Sequence, residues 1–414
     1  MGARRAGPAT SRARYEPGAL RWDGLEVTWM VNGPGGYGPF LDVREFGAKG
    51  DGVTDDTGAL RAAIVAASPG SAPTGNVVYL PAGAYMLTSS LELPPGVSLQ
   101  GSGWNTPGAQ VNTFAGTWLF VGQGANFSPV VLAGNGSAVR NLAFNVRDQP
   151  TTVPVPEAQP MVLVTANNVL IEDVFLYNPY GGIAISGAAQ ASLRRIWGQP
   201  LQYGIAIDRS QDVNFIDTVH FWPYWQPQGT PVGRYQLANA TALVLYRCDN
   251  PHLSNIFAYN FARGISLAGS EAGIPHKVHL VNADFDRCVT GVHIRATGRP
   301  GSAATIQMAN VTVQSPAGDG IPQGHGVWVE AASSFAMVQA SNVRVSNSGL
   351  CGVRIDADNV TFFADNISLE GWRGPSGFSV ASRSSLVYLG AGFSAAGNGS
   401  QVDPRAQFRM ASYS

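Results

Sequence analysis

The chain has 414 residues, 13% of them charged, and its 26 basic and 27 acidic residues give a formal net charge of −1. This balance argues against nucleic acid and against an anionic membrane surface as partners, and no apolar run is long enough to span a membrane. The three cysteines, Cys248, Cys288 and Cys351, are far apart and lack metal-ligand spacing, so we expect buried free thiols. We therefore predict neither a metal site nor a cofactor.

Residues 1–38 contain arginines with no apolar run behind them, so they do not read as a secretory signal. They end in the glycine-rich sequence VNGPGGYG, and we predict a flexible or docking arm. We assign 39–408 to one domain, with a cap over 39–103 and coils over about 104–395, and we assign 409–414 to a tail. A single domain of this length is compatible with a solenoid, because a solenoid grows without one central core.

The first folded element begins at Leu41. The sequence LDVREFGAKGDGVTDDTGALRAAIVAA predicts a short strand, a tight Gly/Asp loop and then a helix, which Thr54 or Asp55 would cap. The apolar face of that helix would be Leu60, Ala63, Ile64 and Ala67. A strand region follows as far as Gly103, with Pro81-Ala82-Gly83 as its turn.

Residues 42–103 closely resemble the opening of the pectin-lyase-like superfamily, which includes polygalacturonases, pectate lyase superfamily proteins and many phage tailspike depolymerases. The resemblance implies an all-β fold, a right-handed parallel β-helix with an N-terminal capping helix. It implies carbohydrate as the ligand class, and a structural role for Asp51, Asp55 and Asp56. It selects no reaction, since similar folds host unrelated functions.

The rest of the chain repeats one pattern, which is clearest in Tyr203–Trp225: a glycine-led alternating run, a polar turn and a second alternating run. Compact copies lie roughly 22 to 27 residues apart, the period of a solenoid. We predict that Val130 to Phe393 forms a parallel β-helix; a β-sandwich is the alternative. Buried rows would contain Ile205, Ile207, Val292, Ile294, Val327, Val329, Val353 and Ile355. Side chains expected to hydrogen-bond along the stack are Asn141, Asp173, Asn255, Asn310, Asn342 and Asn366.

The polygalacturonase pattern matches only in part. Gly324-His325-Gly326 fits its G-H-G motif, but no N-T-D occurs, and Arg354-Ile355-Asp356 stands where R-I-K is expected. We therefore disfavour polygalacturonase and interpret His325 as a turn residue.

The glycine-led strands place two columns of side chains on the outside of the coils. The first column is Ala184, Ala206, Val244, Ser266, His293, Trp328 and Arg354. The second column is Ser186, Asp208, Tyr246, Ala268, Arg295, Glu330 and Asp356. Neighbours in a column lie about 4.8 Å apart, so Glu330 and Asp356 form either a charge ladder or a pair of cooperating carboxylates.

The second run of each repeat places aromatic residues outward, ahead of Asp284 and Asp286. These two aspartates point the same way about 6 to 7 Å apart, within the range of carboxylate pairs that hydrolyse glycosides. The catalytic candidates are Asp284, Asp286 and His220, with Glu330 and Asp356 on the neighbouring face. The substrate-binding candidates are Tyr177, Trp197, Trp222, Tyr224, Trp225, Tyr259, Arg263 and Arg287. Alternatively, the insertion Pro223 to Ala240 or another subunit covers the aromatic stripe.

Two classes of function remain. The first is an enzyme that cleaves a linear polysaccharide, with hydrolysis preferred to elimination; a lyase would use His220, Tyr259 and Arg263. The second is a non-catalytic glycan-binding tailspike or adhesin module. Arginine carries nearly all the positive charge and suits acidic sugars, although a GC-rich genome explains that bias equally well. We expect an extracellular or virion-associated protein, a homotrimer in the spike branch of the resemblance.

Overall fold

The computed structural model describes residues 14–16, 19–22, 25–28, 40–68, 76–107, 114–316, 323–330, 335–397, 400–402 and 408–410. Most of the predicted N-terminal arm lies outside these residues, apart from a small antiparallel sheet of β1 (Arg14–Glu16), β2 (Ala19–Trp22) and β3 (Leu25–Thr28). The assignment of 1–38 as an arm and of 409–414 as a tail stays a prediction.

The cap contains the predicted helix and six short strands. The strands are β4 (Phe40–Asp42), β5 (Asp51–Asp55), β6 (Val77–Leu80), β7 (Gly83–Met86), β8 (Leu91–Leu93) and β9 (Ser98–Gly101). A 3-10 helix (Val43–Phe46) precedes α1 (Thr57–Ala67), whose buried side includes all four predicted apolar residues. Asp55 accepts a hydrogen bond from the Thr57 backbone at 3.0 Å, and Asp56 accepts from Lys49 and Gly50. These carboxylates therefore hold the cap together, in agreement with the structural role implied for them.

The remaining strands build the coils. In chain order they are β10 (Thr117–Gly122), β11 (Val130–Leu132), β12 (Ala138–Arg147), β13 (Val162–Val164), β14 (Leu170–Leu176), β15 (Gly181–Ser186), β16 (Ser192–Gly198), β17 (Tyr203–Asp208), β18 (Asn214–Phe221), β19 (Thr241–Leu245), β20 (Pro251–Tyr259), β21 (Arg263–Leu267), β22 (Val278–Asp286), β23 (Thr290–Ile294), β24 (Ala304–Gln314), β25 (Val327–Val329), β26 (Ala336–Ser346), β27 (Val353–Ile355), β28 (Thr361–Glu370), β29 (Ser376–Val380), β30 (Leu386–Leu389), β31 (Ser394–Ala396), β32 (Ser400–Val402) and β33 (Phe408–Met410).

The coils stack into two long parallel sheets, which confirms the predicted right-handed parallel β-helix. The short glycine-led strands form a 12-stranded sheet from β8 to β32, which we call side A. The longer strands belong to an 18-stranded sheet, and every pairing within both sheets is parallel. The predicted inward residues, such as Ile205 and Val353, are 0% exposed, so the register used for the outward columns is also correct.

Each long strand bends at one residue with a left-handed backbone. Asn255, Asn282 and Asn310 have φ values of 56°, 55° and 55°, a conformation that asparagine tolerates better than most side chains. We call the part of each long strand before this bend side B and the part after it side C. The predicted asparagine ladder is confirmed from Asn255 to Asn366: for example, Asn310 Nδ2 donates to Asn282 Oδ1 at 3.0 Å, and Asn342 Nδ2 donates to Asn310 Oδ1 at 2.6 Å. Asp173 instead accepts hydrogen bonds from Arg195.

The turn from side C to side A is tight, which explains the glycine that begins the side A strands. A Cβ on Gly204 would lie 2.2 Å from the Phe221 ring and 2.6 Å from the carbonyl oxygen of Ala242 in the next coil. Glycine therefore allows the two coils to approach each other.

One coil carries a long insertion between β18 and β19, which contains helix α2 (Pro231–Asn239). Thr230 caps this helix by accepting a hydrogen bond from the Gly233 backbone at 3.1 Å. Val232 is buried against Val155 and Leu201, so the insertion is docked on the coils. None of the helices in the described residues is long and apolar enough to cross a membrane.

Candidate functional site

Side A contains two adjoining cavities of about 380 and 620 Å³, both lined by Arg263. The outer wall includes Leu237 and Asn239 of α2, so the insertion borders both cavities. The predicted columns are in register: Ser266 pairs with His293, His293 with Trp328, and Trp328 with Arg354. Residues from four separate repeats therefore meet along one groove.

His293 lies at the centre of this groove and is 3% exposed. Arg263 Nε donates to His293 Nδ1 at 3.1 Å, so the imidazole proton is on Nε2. Burial, followed by the charges of Arg263 and Arg295, lowers the pKa of His293 to about 3, which keeps the ring neutral. His293 Nε2 lies 3.2 Å from Glu330 Oε2, yet it forms no hydrogen bond with this carboxylate or with any other group of the described residues.

A second buried polar atom of the groove is also unpaired. Ser266 lies one coil before His293 and is 2% exposed, and its Oγ has no hydrogen-bond partner in the part of the chain that the structure describes. Because buried polar groups are nearly always hydrogen-bonded, each unpaired group requires an explanation. A polar ligand in this groove would supply hydrogen-bond partners for both atoms.

A rigid network supports this centre from the next two coils. Trp328 stacks on His293 with centroids 4.6 Å apart and an angle of 5° between the rings. Its Nε1 donates to Asp356 Oδ2 at 3.0 Å, and Arg354 Nε donates to both Asp356 oxygens at 2.9 and 2.7 Å. Asp356 is thus hydrogen-bonded to Trp328 and Arg354, and its cooperation with Glu330 as a second catalytic carboxylate stays a prediction.

The histidine of the G-H-G motif lies in the smaller cavity. His325 precedes β25, as expected of a turn residue, and it is 4% exposed. Its Nδ1 accepts a hydrogen bond from the Cys351 backbone at 3.3 Å, and burial lowers its pKa to about 4. His325 therefore presents a neutral imidazole to the cavity that also contains Arg354 and Asp356.

Two arginines give the groove its positive charge. Arg263 is partly buried, and burial followed by the charge of Arg295 lowers its pKa. The side chain of Arg295 is exposed and makes no hydrogen bond or ion pair within the described chain. Arg263 was predicted as a substrate-binding residue beside Asp284, and the structure instead joins it to His293 on side A.

Side C holds the predicted aspartate pair. Asp284 is the register partner of Phe257 in the preceding coil, and Asp286 is the register partner of Tyr259. Asp284 is exposed by its overall surface, but packing around its carboxyl group and the charge of Asp286 raise its pKa. A raised pKa is what the proton donor of a catalytic carboxylate pair requires.

The other side C candidates form a connected group next to this pair. His220 Nδ1 and the Tyr224 hydroxyl lie 2.8 Å apart, and burial lowers the pKa of His220. Trp222 and Tyr259 have ring centroids 4.5 Å apart, and Trp222 is 39% exposed. Arg287 donates from Nε to Asn260 Oδ1 at 3.0 Å in the turn toward side A, so it supports that turn.

The N-terminal part of the aromatic stripe is covered rather than open. Tyr177 is 5% exposed beneath Phe114, so the prediction that it belongs to an exposed sugar platform is wrong. Trp104 stacks on Phe175 at 4.8 Å, and Trp197, Tyr224 and Trp225 pack against the same cluster. The covered-surface alternative therefore describes this half of side C, where one cover is the predicted insertion and the other is the loop carrying Trp104 and Phe114.

Sequence reasoning missed the central role of His293 and Ser266, although both stand in the predicted first column. The available signal was their register with Trp328 and Arg354, together with the G-H-G motif. Within the described residues, no group of three or more His, Cys, Asp or Glu side chains forms a metal cluster. All three cysteines are free and buried, as predicted.

Comparison with known proteins gives matches to carbohydrate-related families. The family model described as rhamnogalacturonase A/epimerase, pectate lyase-like matches residues 40–183. Alginate lyase 7 from Azotobacter vinelandii is 49% identical over 55 residues, which are 13% of this chain and 6% of that protein. Mannuronan C5-epimerase AlgE1 from the same organism is 53% identical over 51 residues, 12% of this chain and 3% of that protein. The chain spans only 3% to 12% of the length of the curated relatives it matches.

Solved structures match over most of the chain. The A-module of mannuronan C-5 epimerase AlgE4 from Azotobacter vinelandii has a TM-score of 0.55 and 14% identity, covering 90% of this chain and 100% of that module. The N-terminal fragment of bacteriophage Phi29 gene product 12 has a TM-score of 0.53 and 15% identity, covering 87% of this chain and 65% of that fragment. At these identities the likeness concerns the fold.

Proposed function

We propose that this chain, a pectin-lyase-like parallel β-helix protein, cleaves a linear, acidic polysaccharide bound along side A. The observation that carries the proposal is the buried, unpaired Nε2–H of His293 beside Glu330, in a groove bordered by Arg263 and Arg295. A uronate unit would supply what this arrangement lacks, which is an acceptor for the imidazole proton and an anion for the arginines.

The arrangement suits elimination better than hydrolysis. Hydrolysis uses two available carboxylates, whereas Asp356 on this side is held by Arg354 and Trp328. In an elimination, Glu330 takes the proton from the carbon next to the uronate carboxylate, and that electron pair forms a double bond as the glycosidic C–O bond breaks. Arg263 and Arg295 neutralise the charge that develops on the carboxylate, and His293 Nε2–H hydrogen-bonds to the leaving oxygen, which takes a proton from solvent.

The relatives support this class of substrate. Alginate and mannuronan, named in the matched proteins, are polymers of uronic acids. The arginine-rich composition agrees with an acidic substrate.

A second candidate function is glycoside hydrolysis on side C, favoured by the raised pKa of Asp284 next to Asp286. In that case Asp284 would protonate the leaving oxygen, Asp286 would activate water or attack the sugar, and Trp222 with Tyr259 would form the adjoining wall. A binding module without turnover, in an extracellular or virion-associated homotrimer, is the remaining alternative.

The test is an activity panel with alginate, polygalacturonate and neutral glycans, read by reducing ends and by absorbance of unsaturated uronate. We expect unsaturated product from a uronate polymer, and a loss of about 10²- to 10⁴-fold in Glu330→Gln, the usual contribution of a proton-transfer group. Arg344→Gln, which removes an exposed arginine from side C, is the matched control. Reducing ends without unsaturated product, lost in Asp284→Asn or Asp286→Asn but kept in Glu330→Gln, would select hydrolysis on side C. Tight binding without either product would select the binding module.

A further inference from the structure

Side B carries an uninterrupted column of planar side chains, one from each coil. Adjacent members are register partners, and the column reads Phe215, His252, His279, Gln307, Gln339 and Phe363. The rings of His252 and His279 stack at 4.5 Å, and Phe363 stacks on Tyr388 at 4.9 Å. Because these planes stack along the coil axis, they present their edges rather than their faces to solvent.

The polar edges of this column are free. The imidazoles of His252 and His279 and the exposed amides of Gln307 and Gln339 make no hydrogen bonds to the described part of the chain. Four consecutive coils therefore offer unpaired donors and acceptors at a spacing of about 4.8 Å, which is close to the length of one extended pyranose unit. Cavities of about 520 and 390 Å³ adjoin the column.

The strip next to the column is small and uncharged. Val281, Ala309 and Ser341 are register partners beside it, and Met337 is 39% exposed. From β20 to β26 the outward positions of side B hold no Asp, Glu, Lys or Arg, whereas side A holds several. Burial, followed by the charge of His252, lowers the pKa of His279, which leaves that imidazole neutral at pH 7. The nearby charged residues Asp217, Asp365 and Lys277 lie at the margins of this strip, so its centre favours an uncharged ligand.

The dimensions favour a chain-like ligand over a second subunit. Five strand spacings make the column about 24 Å long, and the column with its neighbouring strip spans about three residues of each strand, or about 10 Å, so the area is about 240 Å². A stable interface between proteins buries about 800 Å² on each partner. The strip is therefore too narrow for a second copy of this protein and matches a single extended chain.

We propose that side B is a second glycan-binding site, which binds a neutral, linear polysaccharide parallel to the coil axis. Sugar hydroxyl groups hydrogen-bond to the edges of His252, His279, Gln307 and Gln339, and the apolar C–H surfaces of the sugars contact Val281 and Met337. The site does not depend on the groove of side A, so the protein holds a neutral matrix on one side while the acidic chain occupies another.

The test is native gel electrophoresis in gels containing mixed-linkage β-glucan, glucomannan, xylan or dextran at pH 8. We expect at least one of these glycans to retard the protein, and Gln307→Ala/Gln339→Ala to weaken that binding at least tenfold. Gln314→Ala is the matched control, because Gln314 is exposed on the same strand, β24, but on side C. Glu330→Gln should also bind normally, which separates this site from the proposed elimination.

Three outcomes would overturn the proposal. One is the absence of retardation by all four glycans. Another is retardation that survives in the double glutamine variant. The third is light scattering that shows an oligomer which Phe363→Asp dissociates, since side B would then be covered by a second copy.

Discussion

Two buried histidines should make the fold sensitive to mild acid. His293 and His325 have pKa values of about 3 and about 4 because burial opposes their protonation, whereas an unfolded histidine titrates near 6.5. At pH values between the folded and the unfolded pKa, the unfolded chain binds more protons than the folded chain. The free energy of unfolding therefore falls as the pH falls through 6.5. Below pH 6.5 each histidine lowers the free energy of unfolding by about 1.4 kcal/mol per pH unit. Between pH 7 and pH 5 each one therefore removes about 2 kcal/mol of stability.

The measurement compares urea unfolding at pH 7 and pH 5, followed by tryptophan fluorescence. We expect His293→Gln/His325→Gln to lose about 4 kcal/mol less than the parent protein over this interval. The comparison concerns the change with pH, so any constant loss from the missing contact between His293 and Trp328 cancels. His252→Gln, at an exposed position on side B, is the control for removing a histidine. An equal loss in the double variant and the parent would show that the two imidazoles are not held neutral, and the proton assignment in the groove would fail with it.

Further predictions address the bend, the side A turn, side C and assembly. Asn310→Ala should cost about 2 kcal/mol, because alanine resists the left-handed backbone and breaks two ladder hydrogen bonds; Asn310→Gly, which keeps the backbone conformation, should cost less in the same unfolding assay. Gly204→Ala should lower the melting temperature by several degrees, since the new methyl group meets Phe221 at 2.2 Å; a neutral result would refute the close approach. Trp222→Ala should weaken glycan binding only if side C is a ligand site, with no change in melting temperature, as measured by calorimetry. The proposed homotrimer is excluded if light scattering at micromolar concentration reports only a 43.5 kDa species.

The repeat predicts the coils well because its two periodicities have direct physical causes. The alternation of apolar residues within a strand reflects which side chains face inward, and the spacing of the copies reflects one turn of the solenoid. Alternation alone places Ile205 and Val353 inside and His293 and Trp328 outside, and the parallel stack then fixes which residues are neighbours. The asparagine ladder was predicted from recurrence, although its cause is the left-handed bend, which a strand pattern does not reveal.

Contacts made by loops could not be predicted in the same way. Tyr177 occupies an outward position in the repeat, yet a loop from an earlier coil brings Phe114 over it. Whether Asp356 is available for chemistry depends on the rotamers of Arg354 and Trp328, which register does not determine. Alternation therefore placed most candidate residues on the correct side, with Arg263 as an exception, and tertiary packing decided which of them are covered and which stay exposed.

Each coil contributes one row of side chains to side A. Removing or adding a whole coil therefore removes or adds one row. Arg263 pairs with Thr290, and Thr241 pairs with Arg263, so excising residues 263–289 would bring Thr241 against Thr290 with the other rows still in phase. The groove would become one row shorter and would lose Arg263 and Ser266 together, while His293, Trp328 and Arg354 kept their mutual order. Gain or loss of a coil is thus a single genetic step that changes the length of bound polymer and the set of side chains it meets, without redesigning the core.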